Sequence, residues 1–88
     1  MSEAIPRLRA LGDSAWTVEF GDTIDTAINA QVMTLASLVH QAREHDPLFA
    51  GVSDVVPTFR SLTVHFSPWA TQAETLAQRL REMARHLT

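Results

Sequence analysis

The sequence contains no cysteine, and this absence removes two kinds of site. Without thiols the chain has no disulfide framework, and a zinc site with thiolate ligands is excluded. The absence also fits a reducing compartment. The N-terminal letters MSEAIPRL include no apolar run that could form the core of a signal peptide. We therefore expect a cytoplasmic protein.

Long hydrophobic runs and concentrated positive charge are missing as well. No stretch of the sequence has the length and apolar character needed to cross a bilayer. The formal net charge is −3. Arg7 and Arg9 form one small basic spot and Arg79, Arg81 and Arg85 form another, but neither is a patch with interleaved aromatic residues. The sequence predicts neither a membrane nor a nucleic acid as a partner.

The short motifs that mark common enzyme sites are also absent. The glycine-containing turns do not follow the GxGxxG or GxxxxGK[ST] patterns that bind phosphate, and no serine lies in GxSxG. Four histidines invite a metal or acid–base interpretation, but none follows HxxxH or HExxH spacing. We expect surface or helix-capping histidines, and no catalytic residue, metal or cofactor in this domain.

The composition is that of one small globular domain. The chain has 88 residues, of which 45% are hydrophobic and 19% charged. This length allows a modest core but not a core together with an enclosed catalytic cleft. We treat residues 1–88 as a single domain.

Alternating apolar side chains are the strongest structural pattern. They occur in GDSAWTVEFG (residues 12–21) and at the end of DVVPTFRSLTVHFSP (residues 54–68), and they predict half-buried strands. The apolar positions are Trp16, Val18, Phe20, Leu62, Val64 and Phe66. Weaker signals predict strands at residues 7–11 and 52–59. Gly12 and Asp13 predict a two-residue hairpin turn, and Pro57 predicts an edge or bulged strand.

Two amphipathic helices complete the predicted fold. Asp25 is a suitable N-cap for a helix that runs to about residue 45 and stops before Pro47. Thr71 and Glu74 fit a capping box at the start of the second helix. The order ββαββα predicts an α+β, two-layer sandwich, in which a four-stranded, mainly antiparallel sheet carries both helices on one face.

The polar face of the two good strands is the main candidate for function. Glu19 and His65 would be a proton relay or, as we favour, a solvated pair if their strands are neighbours. The face as a whole is either a docking surface or simply hydrated. Trp69 would be a hydrophobic lid at the second helix, which we favour, or an exposed anchor. The candidate partner-facing residues are Thr17, Glu19, Thr63, His65 and Trp69.

The two alternating segments together resemble the N-terminal signature of the allophanate hydrolase subunit 1 family. This family includes one of the subunits of the bacterial ATP-dependent 5-oxoprolinase and the KipI-like histidine-kinase inhibitors. The intervening IDTAINAQVMTLASLV resembles the family's first helix, with Ile24, Asp25, Asn29 and Val32 in matching places. The resemblance covers about residues 11–68. The departures are Phe59 and Phe66 where Tyr is common, and Ser67 where Asp is common.

The resemblance implies an N-terminal α/β domain of a longer architecture, followed by a cyclophilin-like β-domain. It places the reaction site in that second domain, together with a homologous partner subunit, so no family catalytic residue carries over to this sequence. ATP would belong to the full complex. We therefore interpret the chain as a non-catalytic accessory domain of an amide- or lactam-hydrolysing complex. Its partners would be the cyclophilin-like domain, the homologous partner subunit or a second copy of itself.

Two other functions stay open at this point. The resemblance to kinase inhibitors implies a regulatory module that docks on a sensor histidine kinase. An enzymatic role for the domain itself would need Glu19 and His65 to act together on a small amide or lactam.

Overall fold

A computed structural model of the chain describes residues 6–21 and 25–87. The order of elements confirms the predicted ββαββα arrangement. The elements are β1 Arg7–Ala10, β2 Ala15–Glu19, α1 Thr26–His45, a 3₁₀ turn Pro47–Phe49, β3 Val52–Pro57, β4 Ser61–Phe66 and α2 Ala73–Arg85. Ile24, which the family resemblance uses, lies outside the described residues.

The four strands form one antiparallel sheet in the order β1-β2-β4-β3. The two strands with the clearest alternation, β2 and β4, are therefore neighbours at the centre. Pro57 lies on the edge strand β3, as predicted, because a proline cannot donate to a second neighbour. The irregularity in β3 is at its other end, where the register shifts between Val52 and Asp54.

One hydrophobic core lies between the sheet and both helices. Helix α1 packs over β3 and β4, whereas α2 packs over β1 and β2. Leu35, Leu62, Leu76 and Leu80 are fully buried there. Complete burial of a large aliphatic side chain contributes about 1.5–3 kcal/mol, so these four residues supply much of the driving force for the two-layer packing.

Helix α1 begins and ends where its sequence signals predict. The Asp25 carboxylate accepts a hydrogen bond from the amide of Ala27 at 2.7 Å. The helix ends at His45, and Asp46 then caps the 3₁₀ turn by accepting from the amide of Leu48. Within the described ranges, neither helix combines the length and the apolar character that a membrane span requires.

The predicted capping box at α2 is wrong. Gln72 is the N-cap residue and makes no side-chain capping bond. Thr71 is buried instead, and its hydroxyl accepts from the amide of Gly51 at 3.1 Å and donates to the carbonyl of Leu48 at 3.2 Å. The threonine hydroxyl therefore joins two loops rather than capping the helix.

The first hairpin turn is longer than predicted. Strand β1 ends at Ala10, and the amide of Leu11 donates to the carbonyl of Ala15 at 2.9 Å, which leaves residues 12–14 in the turn. Gly12 has a φ of 68°, a left-handed conformation that glycine adopts without a Cβ clash. The amide of Phe66 also donates to the carbonyl of Ser14, so this turn is tied to the end of β4.

Candidate interaction surface

The sheet face opposite the helices, which we call the open face, carries mostly polar side chains. The strand register fixes its rows, because directly paired residues in an antiparallel sheet point to the same side. The rows are Arg7–Glu19–Ser61, then Arg9–Thr17–Thr63–Val56, then Ala15–His65–Asp54. Thr17, Glu19, Thr63 and His65 thus lie on one face as predicted, and each is half-buried. Their role as partner-facing residues stays a prediction.

The centre of the open face is a pair of threonines. Thr17 and Thr63 are direct cross-strand neighbours, and their hydroxyl oxygens lie 2.9 Å apart. Each hydroxyl is therefore the other's hydrogen-bond partner. Such a pair contributes roughly 0.2–1 kcal/mol to strand association, so it stabilises the β2–β4 pairing locally.

Glu19 is held by two arginines of the neighbouring strand. Its carboxylate accepts from Nε and Nη2 of Arg7 at 3.0 and 2.7 Å, and the Arg9 guanidinium lies 3.7 Å away. Positions 7 and 9 are two apart on β1, so both side chains point to the open face. Glu19 therefore acts as the acceptor of an ion-pair cluster at this end of the sheet.

The predicted pairing of Glu19 with His65 is wrong. Their strands are neighbours, but the register places Glu19 opposite Ser61 and His65 opposite Ala15. Four residues along a strand correspond to about 13 Å, which is too far for a proton relay or an ion pair. His65 has Asp54 as its neighbour on β3, and that carboxylate accepts from the amide of Val55 at 2.9 Å.

Trp69 does not form the predicted lid. Its side chain is 95% exposed, far more than any other large hydrophobic residue among those described. Trp16 takes the place next to α2 instead, because its Nε1 donates to the carbonyl of Ala73 at 2.9 Å. The indole of Trp16 thus covers the start of α2, and Trp69 is left in solvent.

The loop that carries Trp69 is well anchored. The carbonyl of Ser67 accepts from the amides of Ala70 and Thr71 at 3.1 and 3.0 Å, and its amide donates to the carbonyl of Gly51 at 2.7 Å. A Cβ at Gly51 would overlap the Thr71 hydroxyl oxygen, so the two loops meet closely at this glycine. Trp69 therefore stands on a fixed support rather than on a free loop.

A second feature of the open face was missed from the sequence. Arg60, in the β3–β4 turn, lies beside Arg7 and Arg9, and together with Glu19 and Ser61 they line a recess of about 250 Å³. The sequence showed Arg7 and Arg9 as a small basic spot. Only the register of three strands brings Arg60 to the same place.

The histidines do not form a metal site in the described part of the chain. No three His, Asp or Glu side chains among residues 6–21 and 25–87 are grouped closely enough to hold an ion. His40, His45 and His86 are exposed on or next to the helices, in agreement with the predicted surface positions.

Comparison with known proteins places these features in a family context. The profile of a family described as carboxyltransferase domain, subdomain C and D, matches residues 6–88. Among curated proteins there is no significant match. Two solved structures share the described fold, and each aligns with most of this chain.

The first structure is the conserved uncharacterized protein PH0987 from Pyrococcus horikoshii. It is 28% identical, with a TM-score of 0.78 over 90% of this chain and 34% of that protein. The second is the N-terminal domain of the histidine kinase inhibitor KipI from Bacillus subtilis. It is 25% identical, with a TM-score of 0.66 over 90% of this chain and 83% of that domain. The present chain therefore spans about a third of PH0987 but most of the KipI domain.

Proposed function

The chain belongs to the family of the carboxyltransferase domain, subdomain C and D, and from this membership we propose that it is a non-catalytic accessory domain. It acts through contacts with other domains or subunits. More specifically, we propose that the domain belongs to a complex of the allophanate hydrolase or 5-oxoprolinase type. Such a complex hydrolyses an amide or lactam with ATP.

The coverage of the similar structures supports an accessory role. The region of PH0987 that shares this fold is 34% of that protein. In the KipI domain, by contrast, the shared region is 83% of the structure. A unit of this kind thus occurs both inside a longer chain and as a separately studied N-terminal domain, so contacts with neighbouring domains are its expected mode of action.

The observation that carries the proposal is the exposure of Trp69. A tryptophan that is 95% exposed forgoes about 2 kcal/mol or more of burial free energy in the isolated domain. Tryptophan is also among the residues that most often dominate binding energy at protein interfaces. Because the loop is already anchored through Ser67 and Thr71, little conformational entropy is lost when a partner covers the indole.

The partner in this proposal is a cyclophilin-like β-domain or the homologous partner subunit of such a complex, with a second copy of the chain as a further possibility. The open face would supply the polar rim of such a contact, through Thr17, Thr63 and His65. Protein interfaces combine aromatic residues at the centre with a polar rim, so Trp69 and the open face complement each other.

Co-expression of this chain with a cyclophilin-like β-domain and with the homologous partner subunit of a carboxyltransferase-type complex tests the proposal. We expect a stable complex whose affinity falls by at least about 30-fold on Trp69→Ala, as for a hot-spot residue. Met33→Ala is the matched control, because Met33 is a half-exposed residue on α1. A chain that elutes alone as a monomer, or a complex indifferent to Trp69→Ala, would contradict the proposal.

The likeness to the KipI domain favours a second candidate, a module that inhibits a histidine kinase. The test is autophosphorylation of the Bacillus subtilis kinase that KipI inhibits, measured with and without this chain. Inhibition that Trp69→Ala relieves would support the regulatory function. An unchanged rate would leave the accessory function as the better account.

A further inference from the structure

The two edges of the sheet differ in how their backbone groups are occupied. The strand order makes β1 and β3 the outer strands. An outer strand of an antiparallel sheet directs every second N–H and C=O away from its neighbour, and a further strand can pair with these groups. The outward positions of β1 and β3 therefore decide where this sheet can be extended.

The outward positions of β3 are closed. The amide of Thr58 donates to the carbonyl of Ser61 at 2.8 Å, which sets the alternation of the β3–β4 ladder. Val55 and Pro57 are then the positions that face outward. Pro57 has no N–H, and the amide of Val55 already donates to the carboxylate of Asp54 at 2.9 Å. A further strand finds no available amide donor at these two positions.

The outward positions of β1 are open. The amide of Leu11 donates to the carbonyl of Ala15 at 2.9 Å, which sets the alternation of the β1–β2 ladder. Leu8 and Ala10 therefore direct their N–H and C=O groups away from β2. In the part of the chain that the structure describes, no strand pairs with this side of β1.

The open edge of β1 is short and has defined ends. Pro6, the next outward position before Leu8, has no N–H, and Gly12 leaves the extended conformation with a φ of 68°. The edge thus presents the N–H and C=O groups of Leu8 and Ala10. An antiparallel strand that pairs with both residues places the residue between its two pairing positions directly opposite Arg9.

The charge of Arg9 decides which side chain suits that central position. Arg9 lies on the open face, its side chain is 60% exposed, and its contact with Glu19 is an ion pair at 3.7 Å. A carboxylate suits the position opposite Arg9, because opposite charges at directly paired positions stabilise a sheet. On the other face of β1, Leu8 packs against the core, so apolar residues suit the two pairing positions.

A second copy of the chain suits this edge less well. If two β1 strands paired through both outward residues of each, Leu8 of one copy would lie opposite Ala10 of the other, and the two Arg9 residues would face each other. Like charges at directly opposite positions destabilise a strand pair. A segment with an acidic residue at the central position brings the opposite charge instead.

We propose that the outer edge of β1 is a binding site for an extended protein segment with the pattern apolar–acidic–apolar, which adds a fifth strand antiparallel to β1. The backbone of Leu8 and Ala10 supplies the hydrogen bonds, and Arg9 selects the acidic residue. This inference does not rest on the accessory function, because it uses the backbone of β1 and not the side chain of Trp69.

A protected edge is the competing explanation. Strand β1 has only four residues, and both short length and charged side chains such as Arg9 discourage pairing with other chains. The two explanations differ in one respect, because a protected edge binds no extended segment, whatever the charge of that segment.

Titration of the 88-residue chain with the blocked heptapeptide Lys-Thr-Val-Glu-Val-Thr-Lys tests the proposal, with amide resonances as the readout. The two valines of this peptide pair with Ala10 and Leu8, and its glutamate lies opposite Arg9. We expect saturable shifts and slower hydrogen exchange at the amides of Leu8 and Ala10, with no change at Val55. The matched control is the same peptide with both valines N-methylated. It keeps the side chains but lacks the N–H donors, so we expect no binding.

The selectivity for an acidic residue is measured by exchanging the peptide glutamate for glutamine. We expect binding to the unmodified chain to weaken about two- to fivefold, the effect of one cross-strand charge pair. The Arg9→Gln variant binds the two peptides equally. Arg81→Gln removes an exposed arginine of α2 and keeps the preference for glutamate.

Ala10→Pro removes one outward N–H of β1, as Pro57 does on β3, and we expect it to abolish binding while the circular dichroism spectrum stays unchanged. Linear, non-saturating shifts, or equal binding of the N-methylated peptide, would overturn the proposal. Equal binding of the glutamate and glutamine peptides to the unmodified chain would do the same. So would exchange protection at Leu8 and Ala10 that grows with chain concentration in the absence of peptide, because a second copy would then occupy the edge.

Discussion

The two tryptophans show how differently one residue type is used in this domain. Trp16 alternates with Val18 on β2, packs against the core and donates its indole N–H to the start of α2. Trp69 lies in the loop before α2 and is almost completely exposed. The stability of the fold therefore depends on the first indole and not on the second.

Alanine substitutions measure this contrast directly. Trp16→Ala removes a half-buried ring and a hydrogen bond, so we expect the free energy of unfolding to fall by about 2–3 kcal/mol. Trp69→Ala changes it by less than about 0.5 kcal/mol, because an exposed side chain makes few contacts to lose. Urea denaturation followed by circular dichroism gives both values. A large loss for the Trp69 variant would contradict the described position of its side chain.

Thr71 is the residue on which the loop architecture depends. Thr71→Val keeps the shape of the side chain but leaves the amide of Gly51 and the carbonyl of Leu48 without their hydroxyl partner. We expect a loss of about 1–3 kcal/mol in the free energy of unfolding, as for buried polar groups left unpaired. Thr75→Val on the exposed side of α2 is the control. Equal effects of the two substitutions would argue against the bridging role.

At the scale of elements, the edge strand β1 depends on a neighbour for its position. It has four residues, and Arg7 and Arg9 connect it to Glu19 on β2. We expect Glu19→Gln to speed hydrogen exchange at the amides of β1 while the central strand β4 stays protected. The global stability changes by less than about 1 kcal/mol, because these ion pairs are partly exposed. Uniform acceleration in both strands would contradict a local role for Glu19.

The order of the elements and the ends of α1 were predictable because their signals are local. Asp25 caps the helix that follows it, and Pro57 marks an edge strand by its missing N–H. The strand register was not predictable, because alternation fixes the face of a residue but not its partner on the next strand. Glu19 and His65 therefore shared the predicted face but not a contact.

The capping box failed for a related reason. The spacing of Thr71 and Glu74 satisfies the local pattern, but the fold brings Gly51 and Leu48 against the same hydroxyl. A tertiary contact thus replaced the local one. The exposure of Trp69 followed from the same packing, because Trp16 already occupies the place next to α2.

At the scale of the whole molecule, Trp69 and the recess lined by Arg9 and Arg60 lie apart on one sheet. The recess lies where β4 begins, and Trp69 follows the end of the same strand. The sequence alone could indicate Trp69 as a candidate contact, because that candidate is a single residue. It could not find the recess, because positions 7, 19 and 60 come together only after the sheet has formed.

The accessory function predicts that Trp69 is covered when the domain meets its partner. Acrylamide quenching of a Trp16→Phe variant measures this directly, because Trp69 is then the sole indole of the chain. We expect the quenching constant to be close to that of free tryptophan for the domain alone and to fall severalfold in the complex with its carboxyltransferase-type partner. A complex in which Trp69 is quenched as readily as in the isolated domain would contradict this account.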